Sequence, residues 1–127
     1  MVTCCDIKEN IIRSKSFRFA LRIVKLFQDL QSEKKEYMLS KQLLRSGTAI
    51  GALVREAEQA ESKADFIHKM AIAQKEANES DYWVDLLFQS DYLDELTFNS
   101  IKQDLKEILK MLSSIIITSK KNRNIQK

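Results

Sequence analysis

Apolar residues recur along this chain at helical spacing, in four blocks separated by short polar stretches. In the first block, residues 14–31, Phe17, Phe19, Ala20, Leu21, Ile23, Val24, Leu26, Phe27 and Leu30 cover a wide arc. At 100° per residue that arc spans about 220°, roughly twice what a surface helix needs. The second block, 40–60, places Leu43, Ile50, Val54 and Ala57 on one stripe. It is expected to start at Ser40, whose hydroxyl can cap the unpaired N–H groups of the following turn. The third, 63–90, follows a second cap, Ser62, with Asp65 three positions on as a capping-box variant. Its main stripe is Phe66, Met70, Ala73, Ala77, Val84 and Phe88; a second stripe carries Ile72, Trp83 and Leu86. The fourth, 95–119, starts near Asp94 or Thr97 and presents Phe98, Ile101, Leu105, Ile108, Leu109, Leu112, Ile115 and Ile116. A basic tail, 120–127, follows. Short connections make successive helices antiparallel neighbours, so the pattern predicts an all-α, antiparallel up-down four-helix bundle.

Composition narrows the picture in the same direction. The chain of 127 residues has no proline and two glycines, too little punctuation for a fold built from hairpins. Both glycines, Gly47 and Gly51, fall inside the second helix. Each costs about 1 kcal/mol relative to alanine there, so their expected use is close helix approach. The length suits one domain with one core. The extra apolar arc on the first helix and the second stripe on the third exceed what one small core can bury. Surface of that kind marks association, so a homo-oligomer is expected, with these two helices at the interface.

No uncharged run approaches the roughly 18 residues of a membrane span, and residues 1–6 lack the apolar segment of a signal peptide. A cytoplasmic protein with no membrane partner is the expectation. Cys4 and Cys5 are adjacent, lie ahead of the first block and cannot staple distant parts of the chain.

Candidate chemistry is sparse. A di-iron bundle needs two Glu-x-x-His pairs, and His68 is the one histidine. Asp65 reads as a helix-start carboxylate, favourable to the dipole, and Ser46 has no histidine nearby in sequence to act as its base. There is no glycine-rich phosphate loop. Glu76 and Glu79, three apart, could pair as acid and base; as structural groups they would meet Arg45 or Arg55, with Glu56 in the same set. No catalytic residue, metal, cofactor or small-molecule substrate is expected.

Charge placement is more informative. Residues 63–93 carry three basic and six acidic groups, whereas residues 94–127 carry seven basic and four acidic. Lys15, Arg18, Arg22 and Lys25 form a basic edge on the first helix, and Lys102, Lys106 and Lys110 a second on the fourth. Lys120, Lys121 and Arg123, with Lys127, add an acid-free end. Rows of this kind suit the phosphate backbone of RNA or DNA, bound through counterion release. The competing reading is that they only keep the bundle soluble, and that the partner is a protein meeting the acidic third helix. No aromatic side chain stands out as an exposed stacking platform.

The stretch Leu39-Ser40-Lys41-Gln42-Leu43-Leu44-Arg45-Ser46-Gly47-Thr48-Ala49-Ile50-Gly51-Ala52, then Arg55-Glu56-Ala57, resembles the bacterial four helix bundle proteins, also called 23S rRNA intervening-sequence proteins. Ser62 to Lys69, Ile72-Ala73, Lys75-Glu76-Ala77, Glu79 and Tyr82-Trp83 continue the likeness, the leading Lys15-Ser16-Phe17 with Ala20 and Ile23-Val24 fits too, and it covers about residues 10–119. The resemblance implies an up-down bundle assembled as a ring-like homopentamer. Leu53 stands where many members have asparagine, and Ala57 where they have glycine.

Overall fold

The three connections must reverse the chain without a single loop glycine, and two of them do so through a residue in the left-handed region. In the computed structural model, which describes residues 4–125 and side chains from Ile7 to Asn124, Lys35 has φ 55° and Asp91 φ 68°. Four helices result: α1 (Cys4–Lys34), α2 (Leu39–Glu58), α3 (Lys63–Gln89) and α4 (Glu95–Ile125). Among the described residues there is no strand. At Asp91 the Tyr92 N–H donates to the Leu87 carbonyl (2.9 Å), closing α3 with a Schellman-type turn in which aspartate takes the place of the usual glycine.

The helix starts obey capping chemistry, with one correction. Ser40 does not cap α2; its Oγ donates to the Glu36 carbonyl and it sits within the first turn. The cap is the Glu36 carboxylate, which accepts from the N–H groups of Met38 (3.0 Å), Leu39 (2.8 Å) and Ser40 (2.7 Å). Burial raises the Glu36 carboxyl, but these donors outweigh it and hold it below its ordinary value. Three of the four orphan donors of α2 are thereby satisfied by one side chain. At α3 the Ser62 hydroxyl accepts from Asp65 N–H (3.0 Å), while the Asp65 carboxylate reaches back to Glu61 N–H (3.3 Å). Asp94 opens α4 by accepting from Thr97 N–H (2.7 Å).

Two helices run longer than their periodicity predicts. α1 begins at Cys4, ten positions before the expected start, because Ile12 finds full burial and Lys8 donates to Ser114 of α4 (2.9 Å). Cys4 and Cys5 thus open a helix rather than precede one; their side chains lie outside the described residues. α4 continues through the expected tail to Ile125, with Ser119 fully buried. Lys127 lies outside the described residues.

The helices pack side by side around one core. α2 lies against α1 and α3, and α4 against α3 and more sparsely against α1; α1 does not approach α3, nor α2 approach α4. Ile23, Leu43, Ile50, Met70, Ala77, Val84, Leu87, Ile101, Leu105, Ile108, Leu112 and Ile115 are sealed from solvent. Between α2 and α3 the buried Ser46 and Ser80 hydroxyls lie 2.8 Å apart, so each polar group has a partner. Leu53 packs half-buried against the core and Ala57 lies inside it. Contacts run in opposite numerical senses on neighbouring helices: Lys8, Lys15 and Arg22 of α1 meet Ser114, Glu107 and Asp104 of α4.

Gly47 and Gly51 both face α1, at different spacings. A Cβ at Gly47 would stand 3.1 Å from both γ carbons of Ile23, a side chain with no room to move. At Gly51 it would stand 3.5 Å from Ser16, ordinary van der Waals contact. Gly51→Ala is therefore expected to stabilise by up to about 1 kcal/mol through helix propensity, raising the melting temperature by about 3–6 °C. Gly47→Ala is expected to gain nothing, because the Ile23 contact opposes the same propensity term. Thermal denaturation of both variants checks this; equal stabilisation by the two would contradict a tight contact at Gly47.

Candidate nucleic-acid interface

The two basic edges do not merge into one row: at the α1–α4 seam the cations of α1 meet carboxylates of α4, and many of the others also have partners in the chain. Lys15 is ion-paired with Glu107, and Arg22 with Asp104 (2.9 Å). Lys25 lies 3.4 Å from Asp29, one turn along its own helix. Lys102 turns away from the seam toward α3, where its Nζ sits 2.6 Å from Asp81 and 2.8 Å from Asp85. Burial depresses the Lys102 ammonium, yet the two aspartates prevail and hold it above its ordinary value. Glu107 is held low by its hydrogen bonds from Lys15 and Gln103. These four cations act first as cross-links between or along helices, and none is free to meet phosphate without breaking a pair.

A smaller set is uncommitted. Among the described residues no carboxylate pairs with Arg18, Lys106, Lys110, Lys120 or Lys121, and all five are exposed. Arg123 is different: it is half-buried at the end of α4 with its Nε shielded from solvent. Lys106, Lys110 and Lys121 share the outer side of α4, spaced so that four or eleven residues bring them to one face.

The acidic candidates divide between two faces. Arg45 reaches Glu76 at 3.2 Å and also pairs with Glu79, tying α2 to α3 on the surface. Arg55 does not join them. Its guanidinium stands over the Phe17 ring of α1, 4.9 Å from the centroid, and Glu56 is exposed beside it. Arg13, which the expected start of the first helix left out, pairs with Glu58 at 3.0 Å.

Two clefts flank Arg18. One, of about 310 Å³, runs along the α1–α4 seam and is lined by Lys15, Arg18, Phe19, Arg22 and Asp104. The other, of about 360 Å³, lies on the α1–α2 side and is lined by Asn10, Arg13, Ser14, Phe17, Arg18 and Arg55. Phe17 is 46% exposed there, so an aromatic ring does face solvent among cations, contrary to the sequence expectation. It was hidden in the sequence because it falls inside the first helix's broad apolar arc, where core and surface phenylalanines look alike. Arg55 could not be placed from sequence, since its partner is 38 positions away. Tyr82 on α3 is exposed too, edge-on to Trp83 at 5.0 Å.

The opposite end of the molecule is acidic: a cleft of about 330 Å³ is lined by Asp29, Glu33, Asp91 and Asp94, with Lys34. Among the described residues no group of three or more histidine, cysteine, aspartate and glutamate side chains could hold a metal ion, and no helix is long and apolar enough to cross a membrane.

The family model for the 23S rRNA-intervening sequence protein matches residues 8–114. The chain belongs to this family. A crystal structure of a protein with unknown function from the S23 ribosomal protein family of Bacteroides thetaiotaomicron is 54% identical. The match covers 86% of this chain and 97% of that one, with a TM-score of 0.85. No curated protein matches the chain. The 23S rRNA-intervening sequence match spans both clefts and the outer face of α4 as far as Ser114; Lys120 and Lys121 lie beyond it.

Lys102 and Lys110 separate structural from available charge. Lys102→Met is expected to cost up to about 1 kcal/mol of stability, the range of a partly exposed pair, and to leave oligonucleotide affinity unchanged. Lys110→Glu is expected to do the reverse, weakening affinity with the melting temperature preserved. Melting curves and binding isotherms on the two variants decide it; equal loss of affinity in both would mean the Asp81 and Asp85 contacts do not withhold Lys102.

Proposed function

We propose that this member of the 23S rRNA-intervening sequence protein family is a non-enzymatic, cytoplasmic scaffold that binds the backbone of RNA or DNA. The single observation that carries the reading is that five cations of the basic edges and tail, Arg18, Lys106, Lys110, Lys120 and Lys121, are exposed and have no carboxylate partner among the described residues. A folded chain that neutralises Lys15, Arg22 and Lys102 internally, yet leaves these five in solvent, keeps them for something outside itself. Phosphate is the natural complement, because each contact releases condensed counterions.

In this reading the chain is an antiparallel up-down bundle, supported by the opposed numbering of contacts between α1 and its two neighbours. It assembles with copies of itself into a closed ring, with five subunits as the family resemblance implies. Support for association comes from Leu21 on α1 and Tyr82 on α3, 56% and 58% exposed, on helices that are not backbone neighbours within one chain. Two different faces meeting head to tail give a heterologous contact, which closes into a ring when the rotation allows. Each subunit then repeats the same cations around the assembly.

A second reading, a protein-interaction scaffold that binds no nucleic acid, is favoured by the acidic cleft of Asp29, Glu33, Asp91 and Asp94 and by three exposed apolar residues, Tyr37 and Met38 in the α1–α2 connection and Leu96 in the first turn of α4. Capture of a protein partner that survives nuclease treatment would favour it.

The deciding experiment combines solution mass with binding across a salt series. The protein is expected to run as an oligomer and to bind oligonucleotides with a log–log salt slope of about −3 for single strands. Arg18→Glu with Lys110→Glu should flatten that slope. A monomer at high concentration would remove the ring, and no binding at low salt would remove the nucleic-acid reading.

A further inference from the structure

We infer that the cleft on the α1–α2 side is a single-stranded nucleic-acid subsite, in which Phe17 stacks a base and Arg13, Arg18 and Arg55 hold the flanking phosphates. The inference rests on the nucleic-acid reading and narrows it to a place and a strand type. At about 360 Å³ the cleft falls in the range of small-ligand sites, and none of its lining residues is acidic. Arg55 already stands 4.9 Å over the ring, and Phe17 as a residue remains 46% exposed. An exposed phenylalanine flanked by guanidinium groups presents a π-face and planar donors together. That is the combination that tracks an unpaired strand, with bases on aromatic faces and phosphates on cations. A duplex offers the phosphates but keeps its base faces stacked inside, so the ring has no use there.

Arg18 gives the subsite direction, because it lines this cleft and the α1–α4 cleft with Lys15 and Arg22 alike. A strand whose base rests on Phe17 can pass its backbone across α1 at Arg18 and continue along the second cleft. Neither Arg18 nor Arg55 has a carboxylate partner among the described residues, so neither must break an ion pair to do this. Arg13 shares its charge with Glu58 and contributes less.

The test uses the full chain with a fluorescein-labelled 12-nucleotide oligo(U), and a duplex of the same length, by anisotropy at two salt concentrations. Phe17→Leu keeps the apolar bulk and removes the π-face. It should weaken oligo(U) binding about tenfold and leave duplex binding and solution mass unchanged. Arg55→Gln should weaken oligo(U) and reduce its salt slope by about 0.7, whereas Arg55→Lys should restore the slope but not the full affinity. Unchanged oligo(U) affinity in Phe17→Leu would overturn the subsite. So would a change in the mass of the assembly, which would make Phe17 a contact between copies. If the unaltered protein binds neither probe at low salt, the broader reading fails as well; if it binds both and the variants behave like it, only the subsite fails.

Discussion

The close approach of α1 to α2 sets the arrangement from which the rest follows. Gly47 presents bare backbone to the fully buried Ile23, where an added Cβ would be tight, while Gly51 faces the fully buried Ser16 with room for one. The approach at Gly47 therefore costs the helix propensity that an alanine would have supplied there. It also decides which side of α1 faces out. With Ile12, Phe19, Ile23 and Leu30 turned inward, the remainder of the broad apolar arc, Phe17, Leu21 and Val24, is left at the surface. Bringing the two helices together at this register places Arg55 over Phe17 and Arg13 beside Glu58. A packing requirement therefore produces a surface with aromatic and cationic character.

Charge is sorted by the same geometry. Each cross-helix ion pair is worth little alone at these exposures. Together, Lys15 with Glu107, Arg22 with Asp104, Arg45 with Glu76 and Glu79, and Lys102 with Asp81 and Asp85 reinforce the α1–α4, α2–α3 and α3–α4 seams. What is left is uneven. Of the basic edges, Arg18 on α1 and the exposed lysines of α4 keep no carboxylate partner among the described residues, as do the scattered Lys41, Arg55 and Lys75, and carboxylates gather at the end where α1 finishes and α4 begins. The net charge of +3 conceals this division.

Much of the architecture is legible in the sequence where one helix dictates its own burial. The stripes of the second, third and fourth blocks supply most of the sealed core, and Ser62 caps α3 as its hydroxyl chemistry requires. The signal fails where a feature belongs to two helices. Residues 4–13 lie outside the first periodic block, and their helix is explained by the burial of Ile12 in the core and by the contact of Lys8 with Ser114 of α4. Glu36 caps α2 from within a turn, where its carboxylate is not distinguishable from a solvated one. Row spacing groups Lys102, Lys106 and Lys110 along one flank, but nothing local reveals that Lys102 meets two aspartates on α3. The candidate site was legible as a tendency toward basic edges. Phe17 and Arg55 became part of it only once α1 and α2 were in contact.

The most direct measurement is photo-crosslinking of a 4-thiouridine-substituted single strand to the assembled protein, with the modified peptides mapped by mass spectrometry. If the α1–α2 approach builds the binding face, crosslinks fall on the α1 peptide carrying Phe17 and Arg18 and on the α2 peptide carrying Arg55. Crosslinks confined to the last turns of α4, or to the acidic end near Asp91 and Asp94, would contradict the account.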